Sequence, residues 1–124
     1  MNVTFITAAP TIKRLALYHL GGRLYGNSNA ITDLLILAGI AKRAGYHVEA
    51  YKELNGQLPL RRLLSETDAL CLSAMTGNAP HAYELAKLFH HQGHVHVLMG
   101  GMHPSYLLEE ASRYADQVFS GEAE

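Results

Sequence analysis

The sequence predicts an α/β protein: a three-layer, flavodoxin-like (Rossmann-like) doubly wound parallel sheet of five strands in the order 2-1-3-4-5. Three observations predict it. Short β-branched or aromatic runs alternate with helix-patterned segments through all 124 residues. Each predicted link between strands holds a helical pattern, as parallel neighbours require. Right-handed crossovers then leave few topologies for a βαβαβαβαβ chain.

The elements follow in order. Val3 to Thr7 reads as a first strand, rich in β-branched and aromatic residues. Ala30 to Ala44 reads as a helix with an apolar stripe of Ile31, Leu34, Leu35, Ala38 and Ala41 at spacings of three and four. Ser28 or Asn29 suits its cap, Asp33 its first turn, Lys42 and Arg43 its last turn, and Gly45 its left-handed stop. Tyr46 to Tyr51 is the second strand, and Pro59 to Ser65 a short helix opened by its proline. Asp68 to Ser73 is a third strand, apolar enough to be central. Pro80 to Gln92 is a helix with apolar Tyr83, Leu85, Ala86, Leu88 and Phe89, stopped by Gly93. Val95 to Met99 is the fourth strand, running into Gly100-Gly101; Pro104 to Tyr114 is a helix, and Gln117 to Phe119 a short fifth strand.

Composition narrows the function. The formal net charge is -1 with histidine neutral, which argues against a nucleic-acid partner bound through phosphate neutralisation. A single cysteine, Cys71, excludes an internal disulfide, a four-cysteine zinc site and a protein-ligated iron–sulfur cluster. No apolar run reaches the length of about 18 residues that spans a bilayer, and the amino terminus lacks the basic start of a signal peptide. No membrane partner is expected, and a reducing cytoplasm is the expected compartment.

In this architecture ligands bind outside the carboxyl ends of the strands. The loops to inspect are Ala8 to Asn29, Ala74 to Ala79, Gly100 to His103 and Ser120 onward. The first is about 20 residues long, where such loops usually have about 2–6, and reads as functional or as a surface excursion. The familiar ligands of the fold lack their motifs. The loop after strand one opens Ala8-Ala9-Pro10-Thr11, unlike a flavin-phosphate loop. G-x-G-x-x-G, the P-loop pattern and G-x-S-x-G are absent, and strand three ends in Ser73 where a phospho-receiver needs Asp.

Eight histidines are many for this length. His90, His91, His94 and His96 surround Gly93 without an acidic or cysteine neighbour in sequence, at the amino end of strand four. A solvated surface role is favoured over a metal site there. His103 lies at the opposite, ligand-binding edge, with a cofactor contact and a helix-start packing role both open.

Three segments remain. Strand three runs into Ser73-Ala74-Met75-Thr76-Gly77-Asn78, strand four into Gly100-Gly101-Met102-His103-Pro104-Ser105, and the chain ends Ala115-Asp116-Gln117-Val118-Phe119-Ser120-Gly121-Glu122-Ala123-Glu124. This G-G-x-H-P-[ST] followed by A-D-x-V-x-x-G-E-x-E resembles the N-terminal cobalamin (vitamin B12)-binding-type domain of radical SAM proteins, the group of Mg-protoporphyrin IX monomethyl ester cyclase and cobalamin-dependent methyltransferases. Ala44-Gly45-Tyr46-His47-Val48 is similar to that family's A-G-x-x-V turn. Ser73-Ala74-Met75 is similar to the S-x-L of related cobalamin domains with Met for Leu, and Gly100-Gly101 to their G-G.

The resemblance implies a corrinoid whose ring lies across the strand ends and whose nucleotide tail enters a slot between sheet and helices. It implies cofactor contacts at Ser73, Met75, Thr76, Gly100, Gly101 and His103. Small residues at Gly100-Gly101 suit the close approach of backbone and tail, and the hydroxyls of Ser73 and Thr76 suit the tail's base. The cobalt-ligating D-x-H-x-x-G motif is missing: His19 is followed by Gly22, but Leu17 stands where Asp belongs. Cobalt would then have no histidine below it from that motif.

The expected parent is a radical SAM enzyme for methyl transfer or cyclase-type chemistry. Its SAM and 4Fe-4S cluster would lie in a C-terminal domain absent from residues 1–124, leaving this domain without catalytic residues of its own. The chain ends where a flavodoxin-like unit has one more helix, so the expectation is a fragment of a longer protein, or a sheet covered by a partner or a second copy. Glu122 and Glu124 suit an inter-domain role or ordinary exposure. Two rival readings stand: a degenerate domain that has lost cobalamin and binds substrate or protein, and a free-standing flavodoxin-like enzyme using the long loop.

Overall fold

The β-branched and aromatic run at the start of the chain forms β1 (Asn2–Thr7), buried from Val3 onward. The computed structural model describes residues 1–8, 29–53, 58–75 and 77–120. The long loop with His19, and the acids Glu122 and Glu124, lie outside the described residues. After β1 come α1 (Asn29–Arg43), β2 (His47–Lys52), α2 (Leu60–Glu66), β3 (Ala69–Ser73), α3 (Ala79–His90), β4 (His96–Gly100), α4 (Met102–Tyr106), α5 (Leu108–Ala111) and β5 (Gln117–Val118). Gly45 and Gly93 take positive φ at 96° and 74° after α1 and α3, where a residue with a Cβ would be strained.

The five strands are all parallel in the order β2-β1-β3-β4-β5, the order the sequence predicts. The order reverses between β1 and β3, which makes their carboxyl ends the topological switch point.

Alternation along the strands divides the core in two. Ile6, Leu70, Leu72, Val97 and Met99 point to one face and pack with Leu63 of α2, with Ala82, Leu85, Ala86 and Phe89 of α3, and with Ala111 of α5. Val3, Phe5 and Ala69 point to the other face and pack with Leu34 and Ala38 of α1. Among the described residues only α1 contributes buried helical residues to this second cluster, and Cys71 and Leu98 on that face stay partly buried. Fully buried side chains such as Phe89, Leu70 and Ile6 each contribute roughly 1.5–3 kcal/mol.

Several boundaries and faces differ from expectation. In α1, Leu35 faces solvent at 55% exposure, and Leu37 packs against the core instead. The helix starts at Asn29, so Asp33 falls beyond a first turn that holds no acid. In α3, Leu88 is exposed. The helix expected over Pro104 to Tyr114 is two short helices, because Leu107 leaves the helical region at φ −122° and ψ 58°. The chain turns there, and Glu110 in α5 reaches back to His103 in α4.

Candidate functional site

The last residues of four strands form a row at the carboxyl edge of the sheet. Thr7 pairs with Lys52 on one side and Ser73 on the other, and Ser73 pairs with Gly100. Alternation sets Thr7 two residues beyond Phe5, Ser73 beyond Cys71 and Gly100 beyond Leu98, so all three lie on the face that α1 covers. Ser73 and Gly100 are half-buried, and Thr7 is buried. The Thr7 hydroxyl is buried with no hydrogen-bond partner among the described residues.

The two glycines after Met99 act differently. Gly101 takes φ 110°, and a Cβ there would lie 2.5 Å from the Ala74 carbonyl oxygen and 3.1 Å from its nitrogen. The Ala74 N–H donates to the Gly100 carbonyl at 2.9 Å, and the Ala74 carbonyl accepts the His103 N–H at 3.2 Å. These contacts bind the turns after β3 and β4 together. Gly100 has ordinary backbone geometry, and among the described residues a Cβ there would meet only the Phe119 Cβ at 3.9 Å. Packing by the described residues does not demand glycine at 100, and its missing side chain leaves room, a cradle, beside Ser73.

Asn78 ties the rim together and was not marked by the sequence. Its side-chain oxygen accepts the Met75 N–H at 2.6 Å, and its amide donates to the Ala8 carbonyl at 3.1 Å. An asparagine ahead of a helix usually caps it. Here the side chain makes no cap bond to α3 and joins the loops after β1 and β3 instead. Ala79-Pro80 behind it marks a helix start, but nothing local announces the bond to Ala8. Also unforeseen is the buried carboxylate of Glu53, just past β2, which accepts from His81 Nε2 in the first turn of α3 at 2.6 Å.

The other expected contacts are dispersed. Met75 is 48% exposed on the rim. Thr76 lies outside the described residues. The His103 ring is buried, and its Nε2 donates to Glu110 Oε2 at 2.8 Å, so it faces α5 and away from the Ser73–Gly100 row. Glu110 also accepts from the Tyr83 hydroxyl at 2.9 Å. The His103 bond and then the Tyr83 bond hold the Glu110 carboxyl below the usual range. Burial, then the bond to Glu110, pushes the Tyr83 phenol above its ordinary value. Around these groups the rim exposes Met75, Met102, Tyr106, Leu107 and Phe119.

The histidine cluster has an acidic partner that its own sequence neighbourhood lacks. Asp116 Oδ2 accepts from His90 Nε2 at 3.0 Å and from the Val97 N–H at 2.7 Å, with His96 Nδ1 at 3.6 Å. Among the described residues no group of three or more His, Cys, Asp or Glu is placed to hold a metal ion. Among the described residues a cleft of about 300 Å³ opens at the amino end of the sheet beside Asn2, Thr4, Glu49 and Arg62, and another of about 260 Å³ beside Lys87, His90 and Arg113. Neither reaches the carboxyl rim. No helix among the described residues is long and apolar enough to cross a membrane.

A family model described as a B12 binding domain matches residues 32–124. No curated protein matches the chain.

Proposed function

The chain belongs to the B12-binding domain family, and from that premise we propose that its carboxyl rim holds the cobalamin of a radical SAM enzyme. The observation that carries the reading is the cradle at Gly100. A position where packing tolerates a side chain has none, at the switch-point edge, one strand from the half-buried Ser73. That is the room a large cofactor needs against the backbone, so the residues present fit the group.

In this reading Gly100 and Gly101 wall the slot, the Ser73 hydroxyl bonds the tail, and Met75 lies along the rim. His103, pinned by Glu110, sets the turn after β4. The bound corrinoid supplies alkyl-carrier chemistry. The domain binds and orients it, and contributes no catalytic group. With no D-x-H-x-x-G motif, the reading gives cobalt no histidine from the loop after β1.

A radical SAM domain carrying SAM and 4Fe-4S is proposed as the partner, supported by the G-G-x-H-P-S and A-D-x-V-x-x-G-E-x-E segments. The exposed apolar rim of Met102, Tyr106, Leu107 and Phe119 suits such a partner, because a patch of this kind beside a ligand site marks an interface. The test is uptake. Protein incubated with hydroxocobalamin and desalted should keep the corrinoid's visible absorbance. A colourless eluate at high protein concentration would replace the reading with a cofactor-free interaction module.

A further inference from the structure

We propose that Thr7 is a ligand-binding residue whose hydroxyl hydrogen-bonds the nucleotide tail of the corrinoid; this rests on the reading above and adds a contact on the far side of Ser73.

A buried hydroxyl without a partner is rare and unfavourable in a finished fold. Thr7 Oγ1 is such a group among the described residues, in a side chain only 7% exposed. Valine has the same shape and β-propensity and would fill the position without an unpaired oxygen. The rest of β1 uses apolar residues where nothing polar faces them: Val3 and Phe5, on the same face as Thr7, pack against α1. Thr4, on the opposite face, has a partner, its hydroxyl lying 2.8 Å from that of Thr67. The hydroxyl at Thr7 therefore stands apart from every other buried side-chain polar group described.

Its place explains it. Thr7 and Ser73 end the two strands that flank the switch point, and they are direct neighbours in register. Adjacent strands lie about 4.8 Å apart, so the two side chains stand next to each other on one face. On the other side of Ser73 is the open cradle of Gly100. The row reads hydroxyl, hydroxyl, cradle. A hydroxyl both donates and accepts, so it can serve a phosphate oxygen, a sugar hydroxyl or a ring nitrogen. The nucleotide tail carries all three kinds of group, and cobinamide, which lacks the tail, keeps only the ring and its amides.

The experiment compares wild type, Thr7→Val and Thr7→Ser by titration with hydroxocobalamin and with dicyanocobinamide, and records the melting temperature of each without ligand. Thr7→Val should weaken hydroxocobalamin binding about five- to tenfold, the effect of losing one hydrogen bond to a buried group. Its dicyanocobinamide affinity should stay within about twofold, Thr7→Ser should keep the wild-type affinity for both, and Thr7→Val should melt no lower than wild type. A clearly lower melting temperature for Thr7→Val overturns the proposal by revealing an internal partner. Unchanged hydroxocobalamin affinity overturns it too, as does an equal loss on both ligands. Failure of wild type to bind hydroxocobalamin is a different result, and removes the corrinoid reading itself.

Discussion

Gly101 lies directly on the backbone of Ala74: a Cβ at position 101 would sit 2.5 Å from the Ala74 carbonyl oxygen. The contact joins the turns after β3 and β4, which carry Ser73, Met75 and Gly100.

Gly101→Ala should therefore destabilise the fold by about 3 kcal/mol, from its positive φ and the backbone clash. Gly100→Ala should change stability by less than about 1 kcal/mol, since its Cβ meets only an ordinary contact 3.9 Å away. Thermal unfolding of the two variants checks the contrast. Equal melting temperatures would show that the two turns are not packed as described.

Asn78→Ala should cost about 1–3 kcal/mol, because the Met75 N–H and the Ala8 carbonyl both lose their partner. Asn78→Asp keeps the acceptor for Met75 and loses the donor to Ala8, so it should fall between wild type and Asn78→Ala. Chemical denaturation of the three proteins provides the ordering.

Cys71 is half-buried on β3, and burial pushes its thiol up to about 11. The thiolate is the reactive form. Alkylation by iodoacetamide near pH 8 should be slow in the native protein and fast in denaturant. Rapid native labelling would mean that the α1 side of β3 is far more open than the partial burial of Cys71 implies.

Asp116 is held below its ordinary value of 3.8, first by the Val97 N–H and then by His90. A carboxyl depressed by folding stabilises the protein above its unfolded value, and that stability is lost as the pH falls through the lower folded value. Wild type should therefore lose unfolding free energy more steeply than Asp116→Asn as the pH falls through and below about 4. Urea titrations across that range test the difference in slope.

These contacts also mark how far the sequence could be read. The strands and their order were legible, because Val3 to Ile6 and Ala69 to Leu72 are apolar or β-branched runs of strand length, and right-handed crossovers leave few arrangements. Gly45 and Gly93 were legible as helix stops for a local reason, their positive φ. Leu35 was misplaced because a chain rich in leucine offers more than one stripe at spacings of three and four, and tertiary packing selects Leu37. The break at Leu107 is hidden in a good helix former. It accompanies a return of Glu110 to His103 and Tyr83 that no local pattern encodes.

The positions of Ser73 and Gly100-Gly101 at the carboxyl edge were readable, because each follows an apolar strand into a short turn. The neighbours of Thr7 and Asn78 were not, since they lie across the sheet: Thr7 beside Ser73, 66 positions on, and Asn78 on Ala8 at a separation of 70. Asp116 is likewise 26 residues from the histidine it holds.

The most direct test of the account is calorimetric titration of hydroxocobalamin into wild type and Gly100→Val. The account predicts saturable binding by wild type, and loss of at least tenfold in affinity for Gly100→Val as the branched side chain fills the cradle beside Ser73. Equal affinity for the two proteins, or no binding by wild type, would contradict it.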